Sequence, residues 1–517
     1  MKLRIGLLVS SHGWSQVCAQ EGIPCGVVPL LSGDLHRECS VLVVNRTVTT
    51  NEREAVEGYL RNGGAILGST RHLQGVAGLS GTAQDIQYIV ADGTRTFPSV
   101  YLLDVGMHGL IPRGANALRT EGNTFAALAG ALGGGHAVVL PFDVDALMTD
   151  ARTANKNFHA RFDRLPAERV SLVAKGEVHH LVADAFRYLH SARGLPYPHL
   201  WYFPGSLRNV FAFRIDTDGA SRADIDRLYD TARDAGVSMT WFLDVRSHES
   251  WLSHFGFLTG QEIGLHCYDH VTHPTLEGNK KNIVRGMQEM HRAGLQPRGF
   301  AAPFGTWNPG LARAIDEAGF TYSSEFSYAY DTLPLYPAAG DDAFGTLQVP
   351  IHPICIGSML RCGYSDERMT EYFERAIAAK LSRREPLFFY HHPSHARWNV
   401  VKSLLEFSNP AVANMTLSAY AEFWQRRLSM KWTADYIEGE LHLSSNLTDD
   451  DVRLCVVLPD GSEILQPLQG GRGELSAAAA RKPEQPMAAP DDIRRIREFD
   501  PRQLAGDLFT TFLRKIQ

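Results

Sequence analysis

The chain has 517 residues, with 51 Lys and Arg against 57 Asp and Glu, a formal net charge of −6 and 44% hydrophobic residues. That length exceeds one ordinary core and implies two or three domains, while charge scattered without a basic stripe excludes the footprint of a nucleic-acid binder. No run of about eighteen apolar residues exists to span a bilayer.

In chain order, the apolar run at residues 3–9 is too short for a signal-peptide core and reads as a first strand. Residues 27–30, 41–44, 65–68, 100–103 and 137–140 are also strand-like, so residues 1–150 are expected to form an open doubly wound sheet. The turn segments at residues 61–64 and 133–136, with 138–143, resemble the class I glutamine amidotransferase-like superfamily. That resemblance implies a nucleophile after residues 65–67, where Gly68, Ser69 and Thr70 stand and no cysteine does. This domain is therefore expected to be non-catalytic.

Residues 151–205 read as a connecting segment, and residues 206–430 then alternate strand and helix seven times. Such alternation predicts parallel strands with helical crossovers, hence a distorted seven-stranded (β/α) barrel with its chemistry at the carboxyl ends of the strands. The expected strands are residues 209–215, 237–243, 262–265, 299–302, 322–324, 348–351 and 386–390. Their ends carry Asp216 and Asp218, then His266 and His270, Phe304 in a Pro-Phe-Gly turn, Glu325, His352, and finally His391 and His392. Asn308 and Pro309 suit the N-cap and first turn of a helix.

Beyond residue 430, residues 436–443 and 452–458 alternate about a turn at Pro459, Asp460 and Gly461, which predicts a small C-terminal β appendage over residues 431–470. Residues 477–490 read as an Ala- and Pro-rich linker. In the terminal helix, Leu504, Leu508, Phe509, Phe512, Leu513 and Ile516 share one face. Docking back onto the protein is the expected use of that face, a homo-oligomer contact the alternative. Seven cysteines at irregular spacing, without a CxxC pair, argue against disulfides or a zinc ribbon and fit a cytoplasmic address.

An Asp pair, a His-x-x-x-His element, a Pro-Phe-Gly turn and a late His-Pro, each at a strand end and in this order, resemble the polysaccharide deacetylases of carbohydrate esterase family 4. The resemblance spans roughly residues 206–430 and implies a metal-dependent hydrolase that removes an acetyl group from an N-acetylated saccharide or glycan precursor. It makes Asp216 the general base, Asp218, His266 and His270 the metal ligands, the Phe304 backbone an oxyanion donor, and His392 the acid for the leaving amine. One carboxylate with two imidazoles suits a divalent ion, zinc first, with cobalt, nickel, iron or manganese as alternatives.

Thr217 separates the two aspartates that the family places side by side, and Ala301 stands where the family carries an arginine that braces the base. Arg214 and Arg298 are the available substitutes. His273 is an alternative ligand, Cys267 an alternative metal neighbour, and Trp307, His352 and Glu325 are expected to line the substrate groove. Hydrolysis of a small non-sugar amide and a silent glycan-binding or scaffold protein are the competing functional expectations.

Overall fold

The computed structural model describes residues 1–31, 34–91, 96–160, 163–407, 409–468, 471–473 and 480–483. The terminal helix lies outside the described residues, as does most of the linker at 477–490.

The first sheet has nine strands in two halves of different character. Cys25–Val27, Ile5–Leu7, Val41–Val44, Ala65–Ser69 and Gly135–Leu140 run parallel in that spatial order. Runs such as Val41–Val44 are apolar at every position and fully buried, as a parallel strand covered on both faces requires. Beyond Gly135–Leu140 the sheet turns antiparallel through Phe125–Leu132, Ala117–Thr120, Gly81–Val90 and Leu102–Pro112. The strand expected at residues 100–103 is thus the start of a long antiparallel strand. Thr82, Gln84 and Gln87 leave Gly81–Val90 polar and half-solvated, which weakens its signal in the sequence.

Residues 151–205 hold a hairpin of Thr153–Ala160 and Asp163–Ser171, the helix Lys175–Ala192 and the strand Tyr197–Leu200. The helix is buried almost all round and packs on the parallel strands of the first sheet. Tyr197–Leu200 pairs with Arg453–Val457, which pairs in turn with Glu463–Pro467 across the expected Pro459-Asp460-Gly461 turn. Trp432–Ile437, Glu440–Ser445 and Gly471–Gly473 form the other small C-terminal sheet.

The barrel is a curled sheet whose main path is seven parallel strands in the order Leu347–Gln348, Tyr322–Ser323, Gly299–Phe300, Glu262–Cys267, Thr240–Asp244, Asn209–Asp216, Leu387–His391, with a short eighth strand, Val412–Asn414, pairing with the start of Asn209–Asp216. All seven expected strands are present. The two end strands do not pair directly, but the His352 N–H donates to the Phe388 carbonyl at 2.9 Å and draws the gap together. Crossover helices are capped as the sequence indicates: Ser221 and Asp224 form a capping box on Arg222–Asp234, and Asn308 caps Pro309–Ala318 with Pro309 in its first turn.

Candidate active site at the carboxyl ends of the barrel strands

The first barrel strand, Asn209–Asp216, delivers more than its two carboxylates. In extended chain every second residue faces the same way, so Arg214, Asp216 and Asp218 share one face and Thr217 the other. Thr217 turns toward the second strand, where its Oγ1 accepts from the Asp244 N–H at 3.1 Å and lies 3.0 Å from His248 Nε2. The extra residue between the aspartates is therefore accommodated by anchoring its side chain outside the site.

Arg214 grips Asp216 with two parallel bonds, Nε to Oδ1 and Nη2 to Oδ2, both 2.7 Å, with the side chains only 1% and 4% exposed. Its Nη1 donates to the Ser324 carbonyl, so the fork is held from the fifth strand as well. Burial alone would raise the Asp216 pKa, but Arg214 outweighs it and holds the carboxyl below its ordinary range, with His266 and His392 acting in the same sense. Arg298 instead pairs with Glu422 at 2.5 Å near the surface, outside the site. The arginine that contacts Asp216 thus comes from its own strand, not from the position of Ala301.

The third strand, Glu262–Cys267, points His266 inward. Its Nδ1 lies 2.7 Å from the Ala301 carbonyl, which can only accept, so the proton sits on Nδ1 and the Nε2 lone pair faces the site. That Nε2 lies 3.2 Å from His270 Nε2 and 3.8 Å from Asp218 Oδ1, while His270 Nε2 is 3.7 Å from Asp218 Oδ2. Donors about 2.0–2.1 Å from one tetrahedral ion are roughly 3.3–3.4 Å apart, so the set fits a first-row divalent cation with little adjustment.

Two further observations fit it. Asp218 Oδ1 is buried without a hydrogen-bond partner, and burial lowers the His266 pKa, keeping the ring neutral as a ligand must be. Among the described residues, Asp218, His266 and His270 are the group of His, Cys, Asp and Glu with metal-ligand spacing. His273 is outside it, and Cys267 points across the strand to Asp244 Oδ1 at 3.8 Å.

His392 stands on the other side of Asp218, with Nε2 3.5 Å from Oδ1. Burial pushes its pKa down, but Asp218 and the Cys355 thiol more than offset this and raise it to about 9. Its neighbour His391 faces the opposite side of the strand, buried against the Phe213 ring. Phe304 adopts the left-handed region (φ 58°, ψ 18°) in the Pro303–Gly305 turn, and its half-exposed ring meets His270 edge-on at 4.8 Å. Gly305 follows at φ 58°, where a Cβ would lie 2.3 Å from the Phe326 ring, so the turn admits only glycine there.

Three residues expected in the substrate groove lie elsewhere. Trp307 is 4% exposed and packs on Tyr328 and Phe344 as a core residue. His352 spends both ring nitrogens on Asp331 at 3.0 Å and the Tyr372 hydroxyl at 2.7 Å. Glu325 is fully buried inside the barrel, accepting from Ser323 Oγ at 2.8 Å and Gln348 Nε2 at 3.0 Å, and burial raises its pKa to about 7. Glu325 and His352 follow the short fifth and sixth strands, and Trp307 follows the Pro303–Gly305 turn, yet all three side chains are buried in the protein.

No protein-family model and no curated protein matches the chain. Several solved structures are similar to it. A protein from Mycobacterium smegmatis assigned as a polysaccharide deacetylase is 18% identical, over 44% of this chain and 93% of that one, with a TM-score of 0.37. The family 4 carbohydrate esterase from Streptomyces lividans, solved with acetate, is 15% identical over 40% and 91%, with a TM-score of 0.28. A pseudoenzyme of the same family from Bacillus anthracis is 12% identical over 52% and 89%, with a TM-score of 0.30. Over that share of its length the chain is similar to polysaccharide deacetylases of carbohydrate esterase family 4.

Proposed function

We propose that the protein is a metal-dependent amide hydrolase that removes an acetyl group from an N-acetylated saccharide. The observation that carries this reading is the convergence of Asp218, His266 and His270 between a braced carboxylate, Asp216, and the imidazole of His392. A divalent ion held by the three ligands supplies Lewis acidity, acidifying water and polarising the substrate carbonyl.

The chain's own groups do the rest. Asp216, kept ionised by Arg214, takes the proton from the attacking water as its oxygen bonds to the acetyl carbon. Backbone of the turn at Phe304 serves the carbonyl oxygen, on which charge develops. His392 gives its proton to the sugar nitrogen as the C–N bond breaks, releasing acetate and the free amine. Ala301 would favour a silent protein only if the base lacked a brace, and Arg214 supplies one.

The test is turnover of N-acetylglucosamine oligomers by purified protein, followed as acetate release, with metal content measured in parallel. Asp216→Asn should retain stoichiometric metal and lose about 10²–10⁴-fold in kcat. His266→Ala should lose both metal and turnover. Protein that binds no divalent ion, or that gains no hydrolytic activity with zinc, cobalt or nickel, refutes the proposal.

A further inference from the structure

A second recess lies at the opposite end of the barrel. It is bounded by the helix Lys175–Ala192, by Arg383, Arg384 and Glu385, and by the hairpin around Val457–Glu463, and it encloses about 330 Å³. Arg383–Glu385 precede the seventh strand, Leu387–His391, whose far end carries His392. Five residues at about 3.3 Å each separate the two ends by roughly 17 Å, so the recess is distinct from the site above.

Its volume is at the lower end of the range of small-molecule sites, about 300–1,000 Å³. The helix lines it with His180, Asp184, Arg187 and Ser191, residues three and four apart and hence on one face. Leu195, Leu333 and Leu458 supply an apolar wall.

The polar groups in this recess are unbalanced in one direction: acceptors are used and donors remain. Asp184 accepts from the Ser99 N–H at 2.8 Å and from Ser99 Oγ at 3.0 Å. Glu385 is engaged by His180 at 3.0 Å, Lys380 at 3.3 Å and Arg383 at 3.0 Å. Behind them, Glu21 takes the hydroxyls of Tyr197 and Tyr202 at 2.7 and 2.8 Å.

Arg187 is the group left over. Its closest carboxylate oxygens are at 3.7 Å on Asp184 and 3.9 Å on Glu21, beyond hydrogen-bond distance, and its Nε is buried without a partner. Arg384 lines the same recess. One of its terminal nitrogens bonds Glu463 at 2.5 Å, while Nη1 is buried without a partner. The left-handed backbone of Arg384 (φ 60°, ψ 33°) is that of the residue that closes the helix Asp366–Arg383, its N–H bonding the Leu381 and Lys380 carbonyls. Guanidinium groups donate only, so what the recess lacks is an acceptor.

We propose that this recess binds a small organic oxyanion, its carboxylate or phosphate clamped between Arg187 and Arg384 and its carbon portion against Leu195, Leu333 and Leu458. Arg187 can offer paired N–H groups and Arg384 the N–H groups of its Nη1, donors of the kind that favour arginine for such anions. The recess is then a ligand site of its own, separate in position and chemistry from the hydrolytic centre.

The experiment is calorimetric titration of citrate and of inorganic phosphate into the full-length protein at low salt. At least one probe should bind saturably. Arg187→Met and Arg384→Met should each weaken that binding by about tenfold or more, the loss of a charge-assisted fork. His270→Ala, which alters only the other site, should leave it unchanged. A selenate soak gives a readout independent of whether either arginine variant folds, since the anomalous peak should fall between the two guanidinium groups. The proposal is overturned if neither probe saturates, if both arginine variants bind as the parent does, if His270→Ala abolishes binding, or if no selenate peak appears in the recess.

Discussion

Replacing Arg214 by Met keeps the length of the side chain and removes its charge and donors. Asp216 then loses both of its 2.7 Å bonds at a position where the pair is almost inaccessible to water. Removing one partner of a buried pair costs about 3–5 kcal/mol, because the other charge is left uncompensated. Protonation of Asp216 relieves part of that cost.

In the parent, Asp216 has a depressed pKa. Its contribution to stability is present above the ordinary carboxyl pKa of about 3.9 and is lost as pH falls through the lower folded value. Without Arg214, burial acts with much less opposition and drives the pKa upward, so a larger share of the base is protonated at neutral pH. The acid limb of the kcat/KM profile should therefore move to higher pH, and kcat/KM at neutral pH should fall by as much as 10²–10⁴-fold, roughly the worth of a general base. Metal content should stay stoichiometric, since Asp218, His266 and His270 are untouched. Arg214→Lys, a point charge that cannot form the fork, should fall between the two. An unchanged acid limb together with an unchanged urea midpoint in Arg214→Met would refute the assignment of Arg214 as the brace.

Trp307→Ala should cost about 3–5 kcal/mol in urea unfolding while leaving KM for oligosaccharides near the parent value, because the indole packs on Tyr328 and Phe344; a selective rise in KM would return it to the substrate groove. His392→Asn should retain metal and lose about 10²–10⁴-fold in kcat, with the alkaline limb of the pH profile abolished; retention of that limb assigns the proton donor elsewhere. Glu325, held protonated by burial to about pH 7, makes the parent lose stability as pH rises from its unfolded pKa near 4.5 to 7, since the unfolded chain releases the proton first. Relative to the parent, Glu325→Gln should therefore gain roughly 3 kcal/mol across that window, read as a widening difference in Tm; a pH-independent difference would count against a buried protonated carboxyl.

What the sequence determined alone is the part of the molecule governed by local periodicity. Alternation of strand and helix specified seven parallel strands, and apolar runs ending in Asp, His or Pro-Phe-Gly placed the candidate site residues at one rim. The two-residue repeat of an extended chain set Asp216 and Asp218 on a common face and turned His391 away from His392. That same repeat contained the signal for Arg214, two residues before Asp216, but a shared face does not say whether a neighbour bonds to its partner or points past it.

Tertiary structure decided what stood opposite. Ser324 arrives from the fifth strand to hold the Arg214 fork, the Ala301 carbonyl fixes the His266 tautomer, and Tyr328 with Phe344 takes Trp307 into the core. His352 and Glu325 occupy strand ends as expected, yet Asp331, Tyr372, Ser323 and Gln348 claim their polar atoms. The antiparallel half of the first sheet was hidden for a related reason, since a half-solvated strand shows little more than a loop until its partners are in place. Position along an element is a local property of the chain, whereas burial and hydrogen-bond partnership depend on which other elements the fold brings alongside, as when Ser324 meets Arg214 from 110 positions away.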